Sequence, residues 1–169
     1  MKDLSEHIKL LKKVDKTNKP VTFVSDGNKD RINVSYYFSD ESEVHYIEVL
    51  FGKYCNGPPG FVHGGAISSV LDEAMGAIAW MNGYKVMTAK LEVKFLNPIP
   101  LNEKIYGKIS LKSFRDKIVN MTGELVSTNE EITFAKSIGI FIIVDFTKFK
   151  MNRQMLDVIS KISLTTKKK

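Results

Sequence analysis

The chain has 169 residues, of which 43% are hydrophobic and 26% are charged, and this balance is typical of one globular domain with a full core. The composition excludes disorder for most of the chain, and no apolar run is long enough to span a bilayer. Residues 1–11 are too charged for a signal peptide, so we expect a cytoplasmic protein. One cysteine and three scattered histidines offer no disulfide and no metal-ligand spacing. We therefore expect no metal site.

The net charge of +6 lies almost entirely near the C-terminus. Residues 146–169 contain seven basic residues and one acidic residue, which leaves 18 of each sign in residues 1–145. A neutral body with a basic end is typical of a solvated tail rather than of a nucleic-acid-binding face. We therefore divide the chain into an N-terminal helix and loop (1–30), a core domain (31–145) and a basic tail (146–169), and we expect no nucleic-acid partner.

The first third of the chain predicts a short helix, a loop and a hairpin. Residues 1–14 have apolar side chains at helical spacing, and residues 16–30 contain the glycine, proline and asparagine residues of a loop. Residues 32–38 and 44–51 alternate apolar and polar side chains, which predicts two paired strands. Glycines and two prolines then make residues 52–60 an irregular loop.

A long helix and four further strands complete the pattern. The helix extends over residues 66–82 and ends at Gly83, with one apolar stripe and an opposite side of small residues interrupted by Asp72. The strands are predicted at residues 86–96, 104–114, 117–127 and 131–145. Because strands and helices do not alternate, this order favours an α+β fold in which an antiparallel sheet wraps around one long central helix.

The segment His63-Gly64-Gly65 stands where the loop becomes the long helix. Two glycines leave the backbone N–H groups at a helix start open to a ligand, and the helix dipole adds partial positive charge there. Such a site can polarise a carbonyl oxygen. Taken alone, the glycine pair is more typical of a simple sharp turn into the helix, and the interpretation as a binding site depends on its neighbours.

Asp72 is the second candidate for chemistry, because it lies on the small-residue side of an otherwise apolar helix, nine residues after His63. A carboxylate in such a position is costly unless it is used or paired. It can accept a proton from water or attack an acyl carbonyl directly. The alternative is an aspartate at a surface or a dimer interface with a hydrogen-bonded partner.

Taken together, these segments resemble a known family, the hotdog-fold acyl-CoA thioesterases of the PaaI and thioesterase-superfamily-member type. The similarity is carried by Gly57-Pro58-Pro59-Gly60-Phe61-Val62-His63-Gly64-Gly65-Ala66-Ile67, Asp72, Val86-Met87-Thr88-Ala89 and Asn97-Pro98-Ile99-Pro100-Leu101. It covers roughly residues 32–145 in element order. The resemblance implies a hotdog fold, hydrolysis of acyl-CoA thioesters in lipid metabolism without a cofactor, and a homodimer or a dimer of dimers.

Carried over position by position, the resemblance implies roles for five residues. The N–H of Gly64 binds the thioester oxygen, Gly65 keeps the backbone close, and His63 holds the loop. Asp72 acts as a general base or as a nucleophile, and Thr88 orients the water or the carboxylate. In this family the oxyanion donor and the acid come from different subunits, so a monomer is expected to be inactive.

Two features of the sequence depart from the family pattern. Strict alternation places Thr88 on the polar face of its strand with Lys94, so that only a twist or a bulge directs it towards Asp72. Basic residues that often precede the Pro-Ile-Pro segment are replaced here by Leu96 and Asn97. The residues that we expect to bind the substrate are Lys94, Asn97, Arg115 and Lys117. The three charged ones are the candidates for the coenzyme A phosphates, although a charge at a strand end is more often simply solvated.

Several alternatives stay open from the sequence. Cys55 and His63 are a candidate thiol nucleophile pair, but no third orienting group is evident and the pattern is more typical of an inert cysteine. Trp80, Met75 and Met81 are either acyl-pocket residues or plain core. A non-catalytic acyl-CoA-binding or regulatory module has the same fold. A dehydratase or hydratase is a further alternative, but no histidine follows His63 to serve that chemistry.

Overall fold

The computed structural model describes residues 4–14, 22–24, 26–39 and 42–149. Within them the helices are α1 (Leu4–Lys9) and α2 (Gly64–Met81). The strands are β1 (Lys12–Lys13), β2 (Ile32–Phe38), β3 (Val44–Phe51), β4 (Val86–Phe95), β5 (Lys104–Arg115), β6 (Ile118–Val126) and β7 (Thr133–Ile143). The predicted order of two strands, one long helix and four strands is confirmed. Most of the predicted basic tail, from residue 150 onwards, lies outside the described residues.

The N-terminal helix is shorter than predicted. It ends at Lys9, and the next residues extend along the sheet, where β1 pairs with β2 and the N–H of Val14 donates to the carbonyl of Tyr36 at 2.9 Å. So short a helix has little stability of its own, and the free edge of β2 offers hydrogen-bond partners to the extended chain. The predicted helix over residues 1–14 was therefore wrong in its second half.

All seven strands form one sheet in the order β1-β2-β3-β5-β6-β7-β4, and every neighbouring pair is antiparallel. The long helix separates β3 from β4 in the chain, and β4 joins the opposite end of the sheet beside β7. α2 packs on β4, β5, β6 and β7. The predicted antiparallel sheet wrapped around one central helix is confirmed.

The interface between α2 and the sheet is very close at Gly139. A side-chain carbon added there would lie 2.4 Å from the Phe141 ring and 3.0 Å from the terminal carbon of Met75. Both of these side chains are themselves fully buried, so neither has room to move away. Only glycine at position 139 therefore allows α2 to pack this closely on β7.

Specific caps define both ends of α2. At the start, the ring of His63 accepts a hydrogen bond from the N–H of Gly65. At the end, Gly83 has a φ of +90°, and the N–H groups of Gly83 and Tyr84 donate to the carbonyls of Trp80 and Ala79. This is a Schellman motif, which requires a left-handed residue such as glycine. The predicted end at Gly83 is confirmed.

Candidate active site

The glycine-proline loop is fixed to the segment that follows β4. The N–H of Val62 donates to the carbonyl of Ile99 at 2.9 Å, and the N–H of Leu101 donates to the carbonyl of Gly60 at 3.1 Å. The 3-10 turn Lys53–Cys55 supports the loop from the other side, since the N–H of His63 donates to the carbonyl of Cys55 at 2.7 Å. The nearby 3-10 turn and the segment after β4, which is distant in sequence, therefore hold the start of α2 in place.

Gly64 is the first residue of α2, and its N–H points out of the helix start. The neighbouring N–H of Gly65 is occupied by Nδ1 of His63 at 2.9 Å. No described residue accepts a hydrogen bond from the N–H of Gly64. The ring of Phe95 lies alongside, 3.4 Å from where a side-chain carbon on Gly64 would be. One free donor at the positive end of an 18-residue helix is thus placed beside an exposed aromatic ring.

Asp72 lies two turns further along the same helix and is paired with Thr88. The hydroxyl of Thr88 donates to Oδ1 of Asp72 at 2.8 Å. The pairing of β4 with β7 shifts register between Thr88 and Lys90, so that Ala89 is bulged. The bulge turns Thr88 to the helix side although strict alternation places it with Lys90 on the outer face. The predicted single apolar face of β4 was therefore wrong before Ala89, and Met87 is exposed on the outer side.

Glu73, the next residue on α2, has different surroundings. Its carboxylate accepts hydrogen bonds from the hydroxyl of Thr22 at 2.8 Å, the N–H of Val24 at 3.4 Å and the hydroxyl of Tyr36 at 3.5 Å. Burial, together with the negative charge of Glu73, raises the pKa of Tyr36 well above its ordinary value. Tyr36 therefore stays a neutral donor, and Glu73 ties the segment before β2 to the helix.

Cys55 does not form the thiol nucleophile pair considered above. Its side chain is buried, and burial raises the pKa of the thiol, which disfavours the reactive thiolate. The ring of His63 already accepts a hydrogen bond from Gly65. The link between the two residues is instead between backbone groups.

The four predicted substrate-binding residues are not brought together in one subunit. Lys94 lies on the outer face of β4, on the far side of the sheet from Asp72. Asn97 uses its side-chain amide to donate to the carbonyl of Thr133 at 2.8 Å. Arg115 and Lys117 flank the turn between β5 and β6, at the opposite end of the sheet from Lys94. Their binding role stays a prediction.

Two of the three candidate acyl-pocket side chains have clear structural roles. Met75 is fully buried against the sheet, and the indole N–H of Trp80 donates to the carbonyl of Val86 at 3.0 Å. Met81 is half-buried and packs against the same core. The sequence analysis did not assign a functional place to Phe95, although an exposed aromatic residue at the end of a strand is a recognisable signal.

Gly64 and Asp72 are too far apart to act on one thioester within a single subunit. They are eight residues apart on one helix, which corresponds to about 12 Å at ~1.5 Å per residue. An oxyanion donor and a base that serve the same carbonyl must both lie about 3 Å from the reacting group. If both groups act on the same thioester, they must therefore come from different subunits.

Comparison with known proteins identifies the class of domain. Residues 59–133 match the family model described as the thioesterase superfamily, and this segment contains His63, Gly64, Asp72 and Thr88. The region is a thioesterase-superfamily domain with the hotdog fold, as the resemblance implies.

Individual relatives are similar over part of their length. Human acyl-coenzyme A thioesterase THEM5 is 32% identical over 91 residues, which are 54% of this chain and 37% of the relative. Acyl-coenzyme A thioesterase THEM4 of Xenopus laevis is 33% identical over 122 residues, 71% of this chain and 55% of the relative. The chain thus spans about half or less of the length of these two relatives. A Streptococcus mutans protein crystallised with acetyl CoA has the same fold, with a TM-score of 0.63 at 13% identity, over 77% of this chain and 97% of that one.

Two further observations concern metals and membranes. Among the described residues, no group of histidine, cysteine, aspartate or glutamate side chains is arranged to hold a metal ion. Neither α1 nor α2 has the length and hydropathy that a membrane-spanning helix needs.

Proposed function

We propose that this protein hydrolyses acyl-CoA thioesters to a free carboxylic acid and coenzyme A, in active sites that two subunits share. The observation that carries the proposal is the Thr88–Asp72 hydrogen bond on the half-buried side of α2, together with the unoccupied N–H of Gly64 at the start of the same helix. The similar relatives named acyl-coenzyme A thioesterases support it. A cytoplasmic site of action belongs to the same proposal.

The thioester oxygen binds at Gly64. Its N–H is free, and the dipole of α2 adds positive potential there. As the carbonyl carbon is attacked, its oxygen gains negative charge, and a fixed donor stabilises that charge more than it stabilises the neutral substrate. His63 supports this geometry because its ring occupies the adjacent Gly65 N–H and holds the loop against the helix.

Asp72 supplies the other half of the reaction, either as a general base or as a nucleophile. As a base, it takes a proton from water, the resulting hydroxide forms the C–O bond, and collapse of the intermediate breaks the C–S bond while the proton passes from Asp72 to the leaving thiolate. As a nucleophile, Asp72 attacks the carbonyl carbon, the C–S bond breaks to release the coenzyme A thiolate, and water then cleaves the resulting anhydride to the free acid and the Asp72 carboxylate. In both routes the Thr88 hydroxyl holds Oδ1, and Oδ2 is the oxygen that reacts.

The edge strand β4 provides the means of joining the two half-sites, the oxyanion donor of one subunit and the acid of the other. Within the described residues, β4 is the last strand of the sheet, and its outer edge has no partner. The free edge of this ten-residue strand is a strong template for pairing with another strand. Two copies of β4 that pair antiparallel about a two-fold axis at Glu92, with Ala89 bulged as it is against β7, place Phe95 of one beside Thr88 of the other.

This pairing supports a complete site at each end of the joined strands. Phe95 lies against Gly64, and Thr88 is bonded to Asp72. The oxyanion donor of one subunit is thereby brought next to the acid of its partner. The proposed homodimer follows from the chemistry because neither half-site is sufficient alone, and a dimer of dimers is compatible with it.

A hydrolysis screen tests the proposal. Acyl-CoA substrates from acetyl to palmitoyl, and one aryl-acyl CoA, are incubated with the protein while release of the coenzyme A thiol is followed with a thiol reagent. We expect turnover that is lost in Asp72→Asn. A bound acyl-CoA that survives long incubation intact, with no thiol released from any substrate, would instead identify a non-catalytic acyl-CoA-binding module.

A further inference from the structure

The outer face of the sheet, which is turned away from α2, has an exposed apolar patch. Strand register places Ile118, Ile142 and Met87 side by side across β6, β7 and β4, and Ile140 and Ile138 follow along β7 on the same face. We define the outer patch as Met87, Ile118, Ile138, Ile140 and Ile142. Four of these five side chains are between 44% and 54% exposed. Strand β7 is thus apolar on both of its faces.

The other half of the outer face is covered. Helix α1 packs Leu4 and Ile8 onto Tyr106 and Val126, and all four residues are buried. Helix α1 thus covers the apolar side chains at this part of β5 and β6, whereas it stops short of β7 and no described residue covers the outer patch. A contiguous exposed apolar surface of this kind marks a docking site.

The charges around the outer patch indicate the kind of partner. Lys90, Arg115 and Lys136 at its margin are paired with Glu92, Asp116 and Glu124. Lys94 and Lys117 lie at opposite ends of the outer patch and form no ion pair with a described residue. Lys117 also lies within electrostatic reach of Asp145, so a small surplus of positive charge remains. The chain as a whole is basic as well, because residues 146–169 contain seven basic residues and one acidic residue.

This positive charge disfavours a second copy of the patch and the basic segment 146–169 as binding partners of the patch, and it favours a negatively charged partner. A second copy of the patch, or the basic segment of the same chain, would bring like charges together. A partner with a negative surface is attracted instead. A cavity beside the patch, lined by Lys94, Lys136 and Ile138 among others, adds further lysine side chains to this face.

We propose that the outer patch docks this protein on an anionic lipid surface. The branched side chains enter the boundary between headgroups and acyl chains, and the surrounding lysines contact the lipid phosphates. No membrane-spanning helix is required. The β4 edge stays free, so docking and dimer formation do not compete.

Vesicle co-sedimentation of the full chain tests this proposal without any measurement of hydrolysis. Vesicles of phosphatidylcholine alone are compared with vesicles containing about 30% phosphatidylglycerol, at low and high salt. We expect binding only to the anionic vesicles and weaker binding in high salt. The double variant Ile138→Ser/Ile142→Ser should bind at least about tenfold more weakly. Ile132→Ser, which alters an exposed isoleucine in the β6–β7 turn, is the matched control and should bind like the wild type.

Three results would overturn the proposal. Absence of binding to anionic vesicles would remove it. Equal binding of the wild type and the double variant would assign the attraction to the basic segment alone, because both proteins retain that segment. A fall in oligomeric mass of the double variant, measured by sedimentation velocity, would show that another copy of the chain covers the patch.

Discussion

The two sides of α2 carry adjacent carboxylates with opposite characters. Asp72 has one hydroxyl partner, Thr88, and is half-buried on the side where the protein surface is open. Glu73 has three donors from the segment before β2 and from β2 itself, so its acceptor capacity is largely used within the fold. A carboxylate that is available for chemistry keeps an oxygen unoccupied, whereas a structural carboxylate does not. The difference between these neighbours is the basis for assigning the reaction to Asp72.

Replacement of Asp72 should have the largest effect. Asp72→Asn keeps the shape but removes the basic and nucleophilic oxygen, so kcat should fall at least about a hundredfold. Steady-state thiol release measures kcat, and circular dichroism and sedimentation verify the fold and the assembly. Near-normal turnover of the best substrate would transfer the chemistry to another group.

Replacement of Gly64 tests the backbone N–H donor at the start of α2. Proline removes the N–H, and its effect should be on the order of 3 kcal/mol in the barrier. The fold should tolerate it, because Gly64 is the first helical residue and His63 has φ −66° and ψ 136°, a conformation that proline accepts after it. Gly64→Ala retains the donor and should lose less activity. Equal kcat/KM in all three folded proteins would place the thioester oxygen elsewhere.

Two variants at Thr88 distinguish the effect of its hydrogen bond to Asp72 from the effect of its packing in β4. Thr88→Val removes the hydroxyl at nearly constant shape and should lower kcat about tenfold, the value of one ordinary hydrogen bond. Thr88→Ser keeps the donor and should retain most of the activity. A serine variant as impaired as the valine variant would assign the loss to packing.

Glu73 should affect stability rather than catalysis. Glu73→Gln weakens charge-assisted hydrogen bonds, so we expect the free energy of unfolding to fall by about 1–2 kcal/mol while kcat stays close to wild type. Urea denaturation measures the first quantity. Glu131→Gln, at an exposed position in the β6–β7 turn, is the control. A large loss of kcat without loss of stability would contradict the assignment of the two carboxylates.

The sequence predicted the order of strands and helices better than local irregularities such as the β-bulge at Ala89. Alternation and turn residues located β2 to β7, because each strand buries one face and must follow a period of two. Alternation failed at Thr88, since a bulge at Ala89 is set by pairing with β7 and leaves no mark in the strand itself. It also gave no sign that Glu73 binds Thr22, fifty-one residues away.

In the candidate site, too, some residues could be predicted from the sequence and others could not. The His63-Gly64-Gly65 segment and Asp72 could be predicted, because glycines at a helix start and a carboxylate on an apolar helix are unusual in themselves. Phe95 was missed as a site residue because its place beside Gly64 depends on how β4 crosses the start of α2. Residues that act through tertiary contacts need the fold before they can be assigned.

The shared active site is the central claim, and mixed dimers test it most directly. Asp72→Asn and Gly64→Pro are each purified, shown to be inactive, and then mixed under conditions that exchange subunits. If the donor and the acid come from different subunits, each mixed dimer has one intact site and one doubly defective site, so random exchange restores about a quarter of wild-type activity. If both groups act within one subunit, every site stays defective, and the mixture remains as inactive as its components.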